Sequence, residues 1–163
     1  MLGSHRIAIV ASVDVEKALA RVQFPDLDGM LSFWLPVMQT RTRGDTMYWL
    51  PEEGEQVIVV MDAEMESGVI LGCIYSNVDV PPESGGDVRQ ITFKDGTRIT
   101  YDRSAHSLVI DVDGTTSAEI RVNSAGTVRI TSSADMQLIS GGNLALQAEG
   151  AITLQGATIH LNG

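Results

Sequence analysis

The sequence predicts an all-β chain in two parts. A small closed barrel occupies residues 1–78, a linker 79–89, and a narrow β-prism built jointly by three chains 90–163. Three observations predict it. The first half holds five or six short apolar runs separated by turn residues, with no strong helical period. The stretch Val78-Asp79-Val80-Pro81-Pro82-Glu83-Ser84-Gly85-Gly86 then breaks the pattern with residues that stiffen and free a linker. Beyond Ile120, pairs of apolar residues recur every eight positions.

In the first half, residues 5–13 are rich in β-branched and apolar side chains, which suits a strand. Residues 18–24 form a second run, ended by the turn chemistry of Pro25-Asp26-Leu27-Asp28-Gly29. Residues 32–37, Ser-Phe-Trp-Leu-Pro-Val, are a third strand candidate. Tyr48-Trp49-Leu50-Pro51 leads into a turn at Glu52-Glu53-Gly54-Glu55. Residues 56–61 read as a continuous apolar strand, and residues 68–75 as the last one. Closing these strands into an OB-fold barrel removes the sheet edges.

In the second half, residues 90–93 and 98–101 alternate around Lys94-Asp95-Gly96-Thr97, a hairpin signature, and residues 108–112 follow as another strand. The apolar pairs are Ile120 and Val122, Val128 and Ile130, Met136 and Leu138, Leu144 and Leu146, and Ile152 and Leu154. A spacing of two puts both members on one face of a short strand. The residues between must turn the chain, and they are mostly Ser, Thr, Asn, Gln, Asp, Ala and Gly. Two large apolar residues per octad make a seam too thin for one chain to close a core around. Three chains winding about one axis pool their seams into an intertwined trimeric β-helix, a triangular prism. A single-chain β-helix needs longer coils, and a calcium-binding array needs a nonapeptide Gly-Gly-x-Gly-x-Asp pattern that is missing.

Composition narrows the function classes. The 163 residues carry 21 Asp and Glu against 11 Lys and Arg, a net charge of −10. Such a field repels nucleic acid and anionic head groups. Trp34, Tyr48 and Trp49 could stack on bases, but the basic cluster near them is only Arg41 and Arg43, so the two tryptophans are expected in the core or at a subunit interface. No apolar run reaches membrane-spanning length, and the first residues lack a signal-peptide pattern, so synthesis in a cytoplasm is expected. Cys73, the one cysteine, is expected as a buried strand thiol. No catalytic constellation stands out. Glu52, Glu53 and Glu55 fall in a turn, Asp26 and Asp28 are turn formers, and His5, Ser104 and His106 show no triad order or nucleophile elbow.

The end of the chain admits two registers. If the octad continues strictly, His160 and Asn162 point inward after Ile152 and Leu154, and three copies of His160 converge on the axis, where they could hold a transition metal such as iron or zinc. If the last step shortens by one, Ile159 and Leu161 point inward and His160 faces water; hydrophobicity favours this register.

The ordered stretches resemble the phage baseplate assembly protein V family, the central spike of contractile tails and pyocin-like particles, and the equivalent region of the type VI secretion spike. They are Val22-Gln23-Phe24-Pro25-Asp26, Trp34-Leu35-Pro36-Val37, residues 51–57, residues 68–75, and residues 93–102 after the linker. The resemblance implies an OB-fold collar seated on the tail hub protein and a homotrimeric needle that breaches the target outer membrane when the sheath contracts. It implies a particle assembled in the cytoplasm as a baseplate component and acting outside the cell. Some relatives carry a lysozyme domain between collar and needle; the linker here leaves no room for one. Some end in a His-x-His metal-binding apex, which this chain lacks. Its Ile-His-Leu-Asn ending is closer to blunt spikes capped by a PAAR-repeat protein, which would make Ile159, Leu161, Asn162 and Gly163 the docking platform. No cofactor is required by this reading. The competing reading is a ligand- or oligosaccharide-binding OB module with a trimerising β-tail.

Overall fold

The computed structural model describes residues 4–83, 85–114 and 117–160. It divides into two compact units, Met1–Ala118 and Glu119–Gly163.

In the first unit, β1 (Ser4–Asp14) and β2 (Leu19–Phe24) pair antiparallel. The Asp14 carboxylate accepts the Glu16 and Lys17 N–H groups at 3.1 and 3.0 Å, so a side chain supplies the turn's hydrogen bonds. A 3-10 turn at Pro25–Leu27 follows, with Asp28 and Gly29 in the left-handed region (φ 51° and 77°). Proline at the start of that turn has the φ it needs and loses no bonded N–H.

The single strand expected over 32–37 is instead two short ones, β3 (Met30–Leu31) and β4 (Leu35–Pro36). Ser32 divides them. Its Oγ accepts the Val22 N–H at 2.9 Å, in place of a ladder carbonyl. Its own carbonyl turns to accept from Arg21 Nε at 2.9 Å. A buried hydroxyl has thus substituted for one rung of the sheet. A small hairpin, β5 (Thr42–Arg43) with β6 (Asp45–Thr46), turns on Gly44 at φ 75° and carries no apolar signal that would have marked it.

β7 (Gln56–Met61) and β8 (Gly68–Cys73) complete the sheet, whose order is β3-β2-β1-β7-β8 with β4 also paired to β2. A parallel bridge between Val37 and Ile70, and the Met38 N–H to Ile70 carbonyl bond at 2.9 Å, join the β4 end to β8. The sheet therefore closes, and its edges are satisfied. The core inside is Ala8, Val10, Ala20, Val22, Phe24, Leu35, Val57, Val59, Met61 and Ile70. These alternate along β1, β2 and β7, as a strand with one inward face requires. The apolar run of β7 is thus one-sided: Val57, Val59 and Met61 are buried, while Ile58 and Val60 are half-buried.

β9 (Val88–Thr92), β10 (Arg98–Asp102) and β11 (Ser107–Asp111) form a three-stranded sheet in the order β11-β10-β9, at the expected hairpin. Ile99 stands opposite both Ile91 and Ile110. The β9–β10 turn is pinned by Phe93 N–H to Thr97 carbonyl at 2.8 Å, Gly96 N–H to Phe93 carbonyl at 3.0 Å, and Thr97 N–H to the Asp95 carboxylate at 2.9 Å. Gly96 has φ 93°, a left-handed conformation that favours glycine there.

In the second unit, no described residue belongs to a strand and every described residue is exposed. The chain bends at 125–126, 133–134, 141–142 and 149–150, one bend per octad.

Candidate functional site

Three places could carry function: the octad seam, the apolar surface of the barrel, and a cleft where the barrel meets the three-stranded sheet.

The seam residues are all solvent-facing within one chain. Ile120, Ile130 and Leu138 are 76%, 80% and 71% exposed, and Val122, Val128, Met136, Leu144, Leu146, Ile152 and Leu154 are also exposed. A soluble protein rarely leaves so long an apolar series in water without a partner. Serine makes three of the four corners, and Ala148 holds the equivalent place at the fourth. Ser124, Ser132 and Ser140 accept the N–H two residues on, from Gly126, Ala134 and Gly142, at 3.1, 3.3 and 3.3 Å. Ser132 and Ser140 also donate to the Asp135 and Asn143 carbonyls, at 3.3 and 3.2 Å. These serines share the eight-residue step, each four residues ahead of an apolar pair. The serine spacing is itself visible in the sequence. His160 is exposed, and Ile159 is 48% exposed. The predicted tip residues Leu161, Asn162 and Gly163 lie outside the described residues.

On the barrel, Trp34, Tyr48 and Trp49 are surface residues, which removes the core half of their expected role. Phe33 and Met38 are exposed as well. The Arg21 guanidinium lies 6.0 Å over the Trp34 ring, a cation–π contact. Arg41 and Arg43 lie exposed at the start of the small hairpin.

The cleft is open, about 980 Å³ in volume, and its walls include Tyr48, Trp49, Leu50, Pro51 and Phe93. The Trp49 and Phe93 rings stack at 6.0 Å, 8° from parallel. Lys94 Nζ reaches Glu52 Oε2 at 2.6 Å. That hydrogen bond, and then the carboxylate's charge, hold the Lys94 ammonium above its ordinary value.

The remaining candidates are structural where they are described. Glu55 accepts the Glu52 N–H at 2.8 Å, tying the turn at 52–55. The Asp62 carboxylate accepts from Glu66 N–H, Ser67 N–H and Ser67 Oγ, and these bonds, led by the hydroxyl, lower its pKa. Ser104 Oγ donates to Asp102 at 2.7 Å and His106 sits in a turn at φ 50°, so neither joins a nucleophile–base pair. Among the described residues no three His, Cys, Asp or Glu side chains gather as a metal site in one chain. None of the helices described is long and apolar enough to cross a membrane.

Cys73 corrects an expectation. It ends β8 on the outer face, exposed, with Sγ 3.2 Å from Glu55 Oε2. Partial loss of hydration, then the hydrogen bond to Glu55 and its negative charge, push the thiol from 9.0 up to about 12. The stability linked to this group is full below about 9 and is lost as pH rises toward about 12. The thiolate fraction at pH 8 is on the order of one in ten thousand. Iodoacetamide should therefore label Cys73 slowly despite its exposure, and Glu55→Gln should speed labelling at pH 8 by roughly tenfold or more. Equal rates in the two proteins would show that Glu55 does not control the thiol.

Residues 6–75 match the family described as the type VI secretion system/phage-baseplate injector OB domain. Over 123 residues the chain is 29% identical to the spike protein of Escherichia phage P2. That stretch covers 75% of this chain and 56% of the relative, so the chain spans little more than half of the phage protein's length.

Proposed function

We propose, from the match of residues 6–75 to the injector OB-domain family of phage baseplates and type VI secretion systems, that the chain is the central spike of a contractile injection particle. Similarity to a phage spike protein supports a structural, baseplate-related role. In our reading the barrel is the collar and the octad region is a homotrimeric needle that breaches a target outer membrane mechanically.

The observation that carries the needle is the exposed seam. Ten large apolar side chains at an eight-residue step, with a bend in step with them, have no cover within one chain. Each fully buried side chain of this size is worth about 1.5–3 kcal/mol. Three chains sharing an axis supply that burial, and the pooled gain opposes the repulsion among three chains of charge −10. Such a needle works by stiffness, so we assign the chain no catalytic role and no required cofactor. The collar would seat on the tail hub protein, and the far end would carry a PAAR-repeat cap on Ile159, Leu161, Asn162 and Gly163. Nucleic acid is not a partner in this scheme. The cleft favours the competing ligand-binding module, yet its Glu52 and Lys94 engage each other and its two aromatic rings are stacked.

Light scattering with metal analysis on the same sample tests this. A trimer that resists detergent and heat is expected, and a monomer would remove the basis of the needle. In the shortened register the trimer carries no metal. About one iron or zinc ion per trimer, from imidazoles meeting at His160, would instead establish the strict register.

A further inference from the structure

The covalent link between barrel and three-stranded sheet is poorly suited to carry load. Val78 is 88% exposed and Val80 is 66% exposed. Over residues 76–79 the hydrogen bonds described are local: Ser76 N–H to the Asp79 carbonyl at 3.0 Å, and Val78 and Asp79 N–H to Ser76 Oγ at 3.1 and 3.0 Å; farther on, Asp87 is tied to Arg103 at the end of the sheet. A tether of this kind fixes a maximum distance and leaves direction free.

The contacts beside it are different, because both partners are fixed before they meet. On the barrel, Trp49 is held through its backbone: its N–H donates to Gln39 Oε1 at 3.2 Å and its carbonyl accepts from Gln39 Nε2 at 3.3 Å. Tyr48 Oη donates to the Val15 carbonyl at 2.8 Å. Pro51, buried, limits the backbone next in line. On the sheet, Phe93 and Lys94 ride the β9–β10 turn, which its own backbone bonds pin. Where the two meet, one flat apolar contact and one ion pair lie on adjacent residues of each partner, Trp49 and Glu52 against Phe93 and Lys94. Two attachment points between rigid bodies restrict rotation as well as separation, which one point does not.

We propose that this pair of contacts is a clamp that fixes the sheet's orientation on the barrel and passes axial force between them, leaving the linker unloaded. The proposal rests on the spike reading for its purpose, though not for its geometry. The stacking of the Trp49 and Phe93 rings, which stay 51% and 42% exposed, supplies most of the holding strength, since exposed ion pairs contribute little alone. The Glu52–Lys94 pair supplies direction, because the stack by itself would let the rings slide.

The test is the distance distribution between nitroxides on Glu64→Cys and Ala105→Cys in a full-length Cys73→Ser chain, with doubly labelled chains diluted among unlabelled ones. A single narrow distribution is expected. Phe93→Ala with Lys94→Glu should broaden it by about twofold or more, as a flexible tether then sets the spacing. Trp49→Ala, made from the barrel side, should broaden it likewise, which guards against misfolding of the sheet in the first variant. Raising salt to roughly 1 M should affect the parent less than either variant does, because screening weakens the ion pair and leaves the stack. An unchanged width in both variants, or a parent as broad as they are, overturns the clamp. Oligomeric mass on the same samples separates the two ideas: a narrow distribution in a monomer keeps the clamp and sinks the spike, and a broad one in a trimer does the reverse.

Discussion

A chain carrying Leu144→Asp and Leu146→Asp is expected to run as a monomer in light scattering, while its barrel melts as in the parent. The pair is the fourth of five in the octad series and is exposed within one chain. In the proposed prism three copies of each residue face the axis. Losing six buried leucines costs on the order of 10 kcal/mol per trimer at about 1.5–3 kcal/mol each. Six converging carboxylates add desolvation and like-charge repulsion to that loss. A similar change at Gln147, in the polar stretch after the pair, should leave the mass unchanged. A double variant that remains a heat-resistant trimer would show that the seam is not the trimer core.

Phe24→Ala should lower the stability of the barrel by about 3–5 kcal/mol, a large part of the roughly 5–15 kcal/mol that holds an ordinary domain. Phe24 is the largest of the fully buried side chains and closes β2 against the core. The measurement is urea unfolding followed by tryptophan emission, since both tryptophans, Trp34 and Trp49, belong to the barrel region. The midpoint should fall at an unchanged slope. Because Glu119–Gly163 is a separate unit, a trimer held by the octad seam as proposed should keep its oligomeric mass at urea concentrations that already unfold the variant barrel. A fall of less than about 1 kcal/mol would mean that the cavity collapses, which the alternating core of β1, β2 and β7 argues against.

Much of the barrel was legible because its strands bury one face. The alternation of Ala20, Val22 and Phe24, and of Val57, Val59 and Met61, is a sequence pattern before it is a packing pattern. The division at Ser32 was not legible, because a serine in an apolar run gives no sign that its hydroxyl will take a backbone partner. The outward thiol of Cys73 was missed for a related reason: one step along a strand changes face, and Leu71, Gly72 and Ile74 do not tell which face β8 turns inward. The clamp joins residues such as Glu52 and Lys94 that are far apart in sequence, and no local pattern links them. The octad was visible in the sequence, and its pairs are the residues left exposed in one chain.

The serine corners bear on how such a needle can change length over generations. Each octad carries its own bend and its own apolar pair, so it is a self-contained unit. Removing residues 132–139 would take out one whole unit and leave every later side chain facing the same way. Removing seven residues would turn the face of each later strand and send its leucines into water. Within the series from Ile120 to Leu154, insertions and deletions are therefore expected in whole octads, the seven-residue step to Ile159 belonging to the end of the series alone.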